Sequence, residues 1–518
     1  MKELVYHRFL LPTVERLPDE PGVLDADFTA TYSQHLARVN RLTDGMRREL
    51  GVSDGSRFAV MALNGHQYLE LYHSCLLSGS ILNPLNLRLA PKELAFILKD
   101  SGSKVCFADA FFAPLIDKVK EEAGLEKVVL IGAGDVPHDA EYEQVIEAGE
   151  DKLPAEPDEG DTSILMYTGG TTGLPKGVVI DNRALMLDLY KAAARWGMDD
   201  SFVYLHQTPM FHAASLGAIL AIPAVGGRTT FVALFDPPAV LDVIEKHNVT
   251  MTVMVPTMIS MLLNHPDFKP ERLASLTCLT YGASPMPGAL LDKVLSMFPE
   301  MDIYQGYGMT ENCGLLTALG PDEHRRGGDV LRSAGRPLPG SVVCIQDEDG
   351  NILPAGKTGE VCARAGNYMR EYWNRPDETE AAFAGGWYHT GDAGYLDEDG
   401  YVYLVDRVKD MIVTGGENVY SAEVENAIAS HPGVAQVAVI GVPSDKWGEE
   451  VMAIVVPKDG EKVDEDSIKE WARERIAGFK VPKQVDFRDE PLPLSGAMKV
   501  LKRELRAPYW EGRERAVQ

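Results

Sequence analysis

Apolar residues recur at three- and four-residue spacing between positions 29 and 50. Leu36, Val39, Leu42, Met46 and Leu50 share one face, and Gly51 follows as a stop. This predicts an amphipathic helix. The period then shortens: 58–63 reads as a strand, 65–78 as a helix, 91–99 as a helix with Pro91 in its first turn, and 104–109 as a strand. A helix over 111–123 and a strand over 127–132 complete this series. Such alternation predicts a mostly parallel sheet covered on both faces. A solvated connector, 151–161, carries two prolines and five acids. The apolar run 163–167 behind it reads as a buried strand. Alternation resumes from 201 to 308, with strands expected at 202–205, 228–233, 250–255, 276–281 and 301–304, and helices at 237–247 and 258–265. From 331 to 407 the texture changes to short β runs separated by Asp/Glu-Gly turns, as in a compact barrel or hairpin unit. The remainder reads as a small α+β unit, with helices at 421–430 and 465–477 and strands near 436–441 and 451–456.

Size and charge narrow the picture. A chain of 518 residues exceeds one hydrophobic core and suggests two to four structural units. Apolar content of 45% and charged content of 25% are those of a soluble globular protein, and no apolar run is long enough to span a membrane. The six cysteines show no CxxC pairing and sit mostly in apolar runs, as expected for reduced core residues of a cytoplasmic protein. A net charge of −27 argues against nucleic acid as a partner. Residues 473–506 run the other way, with nine Lys/Arg against five Asp/Glu, and offer an anionic ligand its most favourable field.

The candidate chemistry lies in strand-end loops. Tyr167-Thr168-Gly169-Gly170-Thr171-Thr172-Gly173-Leu174-Pro175-Lys176-Gly177 holds four glycines and three threonines, which supply backbone N–H and hydroxyl donors for phosphate oxygens. It is not a Walker A loop, because no hydroxyl residue follows the lysine. Tyr281-Gly282-Ala283-Ser284 ends a strand where small residues let a flat ring lie against the backbone. In Gln305-Gly306-Tyr307-Gly308-Met309-Thr310-Glu311, Tyr307 can stack on a base, Thr310 can donate to a phosphate, and Glu311 suits Mg²⁺. Asp392 can accept from ribose hydroxyls, with Arg407 one hairpin away. His212 precedes a run of small residues, Ala213, Ala214, Ser215, Gly217 and Ala218, that leaves volume for an apolar group. No charged partner for a substrate amine stands near them or near Cys313 and Gly314 in sequence, which disfavours amino acids.

Taken together and in order, these motifs resemble those of the adenylate-forming superfamily, and within it the acyl-CoA synthetases. The resemblance covers nearly the whole chain. It implies an α/β protein with a large N-terminal domain, 1–408, made of two doubly wound α/β subdomains plus a small β-barrel-like subdomain. A small mobile α+β domain, 409–518, completes it. It also implies the residue roles. Thr168, Gly169, Gly170, Thr171, Thr172 and Lys176 bind phosphates. Gly282, Ala283, Ser284, Gln305, Gly306, Tyr307, Gly308 and Thr310 hold adenine and the α-phosphate, Glu311 the metal, and Asp392 and Arg407 the ribose. His212, Ala214, Tyr281, Gly282, Cys313 and Gly314 line the acid's pocket. Lys499 is the lysine of adenylation, with Glu311 and Thr168 as its catalytic companions. Lys409 is the pivot, and Gly415, Gly416 and Glu417 line the CoA channel. One departure stands out, since Met498 occupies the place where the family usually has glycine before that lysine. The implied reaction joins a hydrophobic carboxylic acid to ATP with Mg²⁺ and passes the acyl group to CoA, in a cytoplasmic protein with a homodimer as the expected assembly. Loading of an acyl-carrier protein is the alternative. A luciferase-like oxygenase and a non-catalytic nucleotide-binding regulator remain further readings.

Overall fold

A computed structural model describes residues 3–168, 175–407, 410–414, 417–444, 446–458, 460–461, 463–496 and 498–511, with backbone only at 406–407 and 417–418. Four sheets organise the described residues. The first has eight strands. Arg57–Met61, Ile81–Pro84, Val105–Asp109 and Lys127–Ile131 form its parallel part, and Thr162–Thr168 joins parallel to Ile81–Pro84. Lys176–Asp181 then returns antiparallel to Thr162–Thr168. The glycine-rich stretch therefore joins two antiparallel strands rather than a strand and a helix. Gly169, Gly170, Thr171 and Thr172 lie outside the described residues.

The second sheet has nine strands. Its central order runs Asp302–Tyr307, Cys278–Gly282, Met251–Met254, Val203–His206, Arg228–Phe231, all parallel. Two strands that period-counting misses, Pro21–Asp25 and Phe28–Thr31, close its far edge, with Pro21–Asp25 parallel to Arg228–Phe231. The chain thus starts in the second sheet before it builds the first. The helix Tyr32–Leu50 follows, opened by a capping box in which Thr31 N donates to Gln34 Oε1 at 3.0 Å, and closed by Gly51 at φ 69°. Val39, Leu42 and Met46 are buried on its inner face, as the spacing requires. The helix His7–Arg16 is also missing from the pattern, because Pro12 interrupts it.

Residues 341–407 form an antiparallel four-stranded sheet, Ser341–Gln346, Gly359–Ala365, Tyr388–Leu396 and Val402–Arg407. The last sheet pairs Val434–Ser444 with Gly448–Pro457 over ten register partners and carries the helices Ser421–Ala429 and Glu465–Arg473. Val424, Ile428, Ile468 and Ala472 from those helices meet Val439, Val451 and Val455 in a core of their own. No helix among the described residues is long and apolar enough to cross a membrane.

Candidate active site

Four neighbouring parallel strands end side by side, Val203–His206, Met251–Met254, Cys278–Gly282 and Asp302–Tyr307. The chain leaving their carboxyl ends carries His212, Thr257, Ala283 with Ser284, and Gly308 to Glu311. Open α/β sheets bind ligands at this edge, because helices cover the faces and only the strand ends remain accessible. Gly282 and Gly306 are register partners, and a Cβ at Gly282 would collide with the Gly306 carbonyl. The glycine is therefore needed for strand approach as well as for any ring lying above it. Ala283 just beyond takes φ 65°, which turns the chain sharply out of the sheet.

The short turn Thr310–Asn312 presents Glu311. Buried Asn312 bolts it down, its Oδ1 accepting from Met309 N at 2.9 Å and Gly314 N at 3.3 Å. Glu311 Oε1 accepts from the Tyr372 hydroxyl at 2.9 Å, and the Tyr372 hydroxyl oxygen lies 3.4 Å from the Tyr388 hydroxyl. Tyr368 stacks on Tyr388 at 4.6 Å. Burial first, and then the Glu311 charge, push the Tyr372 and Tyr388 phenols up, so they stay protonated donors around a carboxylate. The sequence reading missed these three tyrosines. The signal for Tyr368 and Tyr372 was their run with Trp373 inside otherwise polar chain, and Tyr388 stands beside Trp387 just before Thr390-Gly391-Asp392. A carboxylate with one oxygen bonded to tyrosine keeps lone pairs free, which suits a hard cation with oxygen ligands.

Asp392 is paired in register with Arg407 across adjacent strands. The Arg407 side chain lies outside the described residues. The Tyr307 hydroxyl donates to Asp392 Oδ2 at 2.6 Å, and the Tyr307 ring is only 9% exposed, packed with Leu316, Ala334 and Ala363. Its hydroxyl thus holds a carboxylate, a role that the stacking expectation did not include. Beneath it, Glu360, Cys362 and His389 bring three possible ligand atoms within 4.8 Å. Glu360 Oε2 and His389 Nδ1 are hydrogen bonded at 2.8 Å, Glu360 Oε1 accepts from Gly391 N at 2.9 Å, and His389 Nε2 faces the Ala384 carbonyl at 3.2 Å. With carboxylate and imidazole so engaged, the trio is a brace for the strand bearing Asp392.

At the base of the glycine-rich hairpin, Thr168 is paired with Lys176. Tyr167 donates to Asp100 Oδ2 at 2.6 Å, fixing the strand end. Lys176 pairs with Glu378 and lies 5.2 Å above the Tyr372 ring, so hairpin and Glu311 enclosure adjoin.

The proposed acid pocket needs three corrections. Tyr281 is 1% exposed and its hydroxyl meets His324 Nε2 at 3.1 Å, so it belongs to the core behind the sheet. Cys313 is fully buried beside Asp188 and Lys191 and lines no open surface. Gly314 sits at φ 113°, and a Cβ there would press on the Ala213 carbonyl at 2.9 Å, so its smallness serves the backbone. Leu315, which follows Cys313 and Gly314 in sequence and reads with them as apolar, reaches both Gly306 and Gly217. Gly217, Gly306 and Leu315 therefore form an apolar wall. Behind it stands an acid that sequence distance concealed. Asp188 is buried on the helix Asn182–Trp196. Its Oδ1 accepts from Asn367 Nδ2 at 3.0 Å, and its Oδ2 has no hydrogen-bond partner. Burial raises its carboxyl to about 8.

His212 Nδ1 accepts from Ala214 N at 3.2 Å, which leaves the ring proton on Nε2. Burial, and then the charge of Lys499, lower this imidazole to about 3, so it stays neutral at working pH. Beside Lys499, the Met498 carbonyl lies 3.4 Å from Thr257 Oγ1, which follows one of the site's strands. Lys499 rides on a hairpin closed by a Leu494–Val500 bridge, with Ser495 N donating to the Lys499 carbonyl at 2.7 Å. Met498 takes φ 60°, the left-handed conformation for which the family's glycine is suited. Lys409, Gly415, Gly416 and the Glu417 side chain fall outside the described residues.

Residues 12–373 match the model of the AMP-binding enzyme family, and residues 423–499 that of the AMP-binding enzyme C-terminal domain. The fatty acid–[acyl-carrier-protein] ligase ScoC of Streptomyces coeruleorubidus is 36% identical over 508 residues, covering 96% of this chain and 95% of that protein. The feruloyl-CoA synthase of an Amycolatopsis species is 37% identical over 495 residues, covering 95% and 96%. Among solved structures, o-succinylbenzoate CoA synthetase (MenE) of Bacillus subtilis with its acyl-adenylate intermediate superposes with a TM-score of 0.84 at 31% identity, covering 96% and 97%. The same enzyme with ATP and a magnesium ion gives 0.84 at 30%, covering 96% and 98%. Matches of this extent, over a chain whose parallel strands end in a common edge, place it in the AMP-binding enzyme family, the adenylate-forming enzymes.

Proposed function

We propose that the protein is an AMP-forming acid–CoA ligase that activates a hydrophobic carboxylic acid as its acyl-adenylate and transfers the acyl group to CoA. The observation that carries this reading is that His212 and Glu311 stand on chain leaving the carboxyl ends of neighbouring parallel strands, where the hairpin of Lys499 docks through the Met498 contact to Thr257. A carboxylate attacking the α-phosphate of ATP meets a polyanion, so the barrier is largely electrostatic. Lys499 supplies a mobile positive charge, and neutral His212 can donate from Nε2 without adding charge. Tyr307 holds the Asp392 carboxylate, which in this reading accepts from the ribose hydroxyls. Tyr372 orients Glu311, which with phosphate oxygens would hold Mg²⁺; that ion would neutralise charge on the phosphates. Thr168 and Lys176 border the hairpin assigned to the triphosphate.

In this proposal Ala214, Gly217, Gly306 and Leu315 form the apolar wall and support a hydrophobic or aryl acid. The division at 408, Lys409 as pivot, the CoA channel at Gly415, Gly416 and Glu417, a cytoplasmic setting and a homodimer belong to the same proposal. Similarity to a carrier-protein ligase keeps the carrier as the second acceptor. The test is pyrophosphate release across a panel of short, long-chain, aryl and polycyclic acids, followed by trapping with CoA or a holo carrier protein. Thioester formed on CoA supports the reading. Release without transfer to CoA, but with transfer to the carrier, replaces it by the carrier-protein alternative.

A further inference from the structure

The hairpin bearing Lys499 is held by groups more than two hundred residues away, and the function derived so far does not use them. Arg88 Nη1 donates to the Leu494 carbonyl at 2.7 Å, and Arg88 Nη2 reaches Met498 Sδ at 3.9 Å. These two residues lie in the stem and beside the tip of the hairpin. Thr257 Oγ1 reaches the Met498 carbonyl at 3.4 Å. Gly496 sits so close to Asn86 that a Cβ there would run into the amide oxygen. That same oxygen accepts Arg88 N at 3.0 Å, so one short turn both shapes itself and receives the hairpin. Met498 also rests against the core cluster that contains Tyr281 and Leu279.

We propose that Arg88 is a positioning residue for adenylation, a latch that sets Lys499 in the cleft. Three physical points carry this. A guanidinium presents several donors in a rigid fork, so it can engage a carbonyl and the neighbouring sulfur together, which a flexible ammonium does poorly. Both contacts go to backbone or side-chain atoms within five residues of Lys499, so a shift of this stem moves the lysine. The latch also accounts for Met498. A methionine held at φ 60° is strained relative to glycine, and what glycine cannot provide is a side chain for Arg88 and the core to grip. Thr257 belongs to the same seat, at the start of the helix Pro256–Leu263 that follows one of the site's strands.

This inference rests on the ligase reading, in which Lys499 acts in the first half-reaction only. Arg88→Ala should lower the turnover of adenylation roughly ten- to a hundred-fold, the range for loss of a charge-assisted hydrogen bond, with KM for ATP little changed. Arg88→Lys should restore part of the rate. Thioester formation from supplied acyl-adenylate should hold at the wild-type rate. Because Arg88 is assigned a role only through Lys499, Arg88→Ala should have no further effect in a Lys499→Ala background. Equal loss in both half-reactions, or a full additional loss in that background, would overturn the latch. If the unchanged protein released no pyrophosphate with any acid, the ligase reading itself would fail. The latch is then read by hydrogen exchange across 493–501, which Arg88→Ala should accelerate; unchanged exchange there refutes it independently of activity.

Discussion

Replacing Tyr307 by phenylalanine removes one oxygen and leaves the ring against Leu316, Ala334 and Ala363, so no cavity opens. What disappears is the 2.6 Å donation to Asp392, a carboxylate that is only 8% exposed. Burial and the adjoining Asp392 charge push the Tyr307 phenol well up, so the donor persists across the working pH range. A hydrogen bond to a charged group contributes about 1.5–3 kcal/mol, and the partner left behind is buried. If the proposed ribose role of Asp392 is right, the loss falls on nucleotide use. KM for ATP should rise roughly tenfold or more, since about 1.4 kcal/mol corresponds to tenfold, and the urea midpoint should drop as well. With a 2′,3′-dideoxy nucleotide, which offers Asp392 no hydroxyl, variant and parent should converge. Tyr307→Leu separates this from stacking. A stacking role predicts that phenylalanine is harmless and leucine damaging. An unchanged KM for ATP together with an unchanged urea midpoint in Tyr307→Phe would refute the argument.

Three other outcomes are expected. Lys499→Ala should slow adenylation about a hundred- to a thousand-fold, the cost of about 2.7–4 kcal/mol for one preorganised donor, while thioester formation from supplied adenylate survives; loss of both in a folded variant would contradict it. Ala214→Phe should shift preference toward smaller acids by overfilling the wall, at about 1–3 kcal/mol, whereas Gly314→Ala should reduce stability and all substrates alike. An unchanged substrate profile in Ala214→Phe would put the pocket elsewhere. Asp188 gives a pH test: its folded carboxyl is raised to about 8, so its proton stabilises the fold at low pH and that contribution is lost as pH climbs from about 4 toward 8. Urea midpoints of Asp188→Asn should fall less steeply than the parent's between pH 5 and 8, and parallel curves would exclude the effect.

Local pattern was enough for most elements of the first two sheets and for the order of the motifs, because helix and strand periods are written into neighbouring residues. The glycine after 50, the prolines that open helices at 91 and 237, and the change of texture after 331 all act within a few positions. The candidate site was legible to the same extent: the phosphate hairpin, Glu311, Asp392 and Lys499 each sit in a short stretch whose chemistry is local. Other features depended on contacts between residues far apart in the chain. Pro21–Asp25 belongs to the second sheet because Val23 and Leu24 meet Thr229 and Thr230. Tyr307 is buried because Leu316, Ala334 and Ala363 pack on it, while its hydroxyl meets Asp392, 85 residues on. Cys313 and Tyr281 leave the pocket because the core behind each strand absorbs them, and Asp188 stands behind Gly217 only once two helices pack. Whether a side chain at a strand end faces ligand or core depends on which surface arrives opposite it. Period and composition do not carry that information; it is created when the sheets and the C-terminal hairpin close on one another.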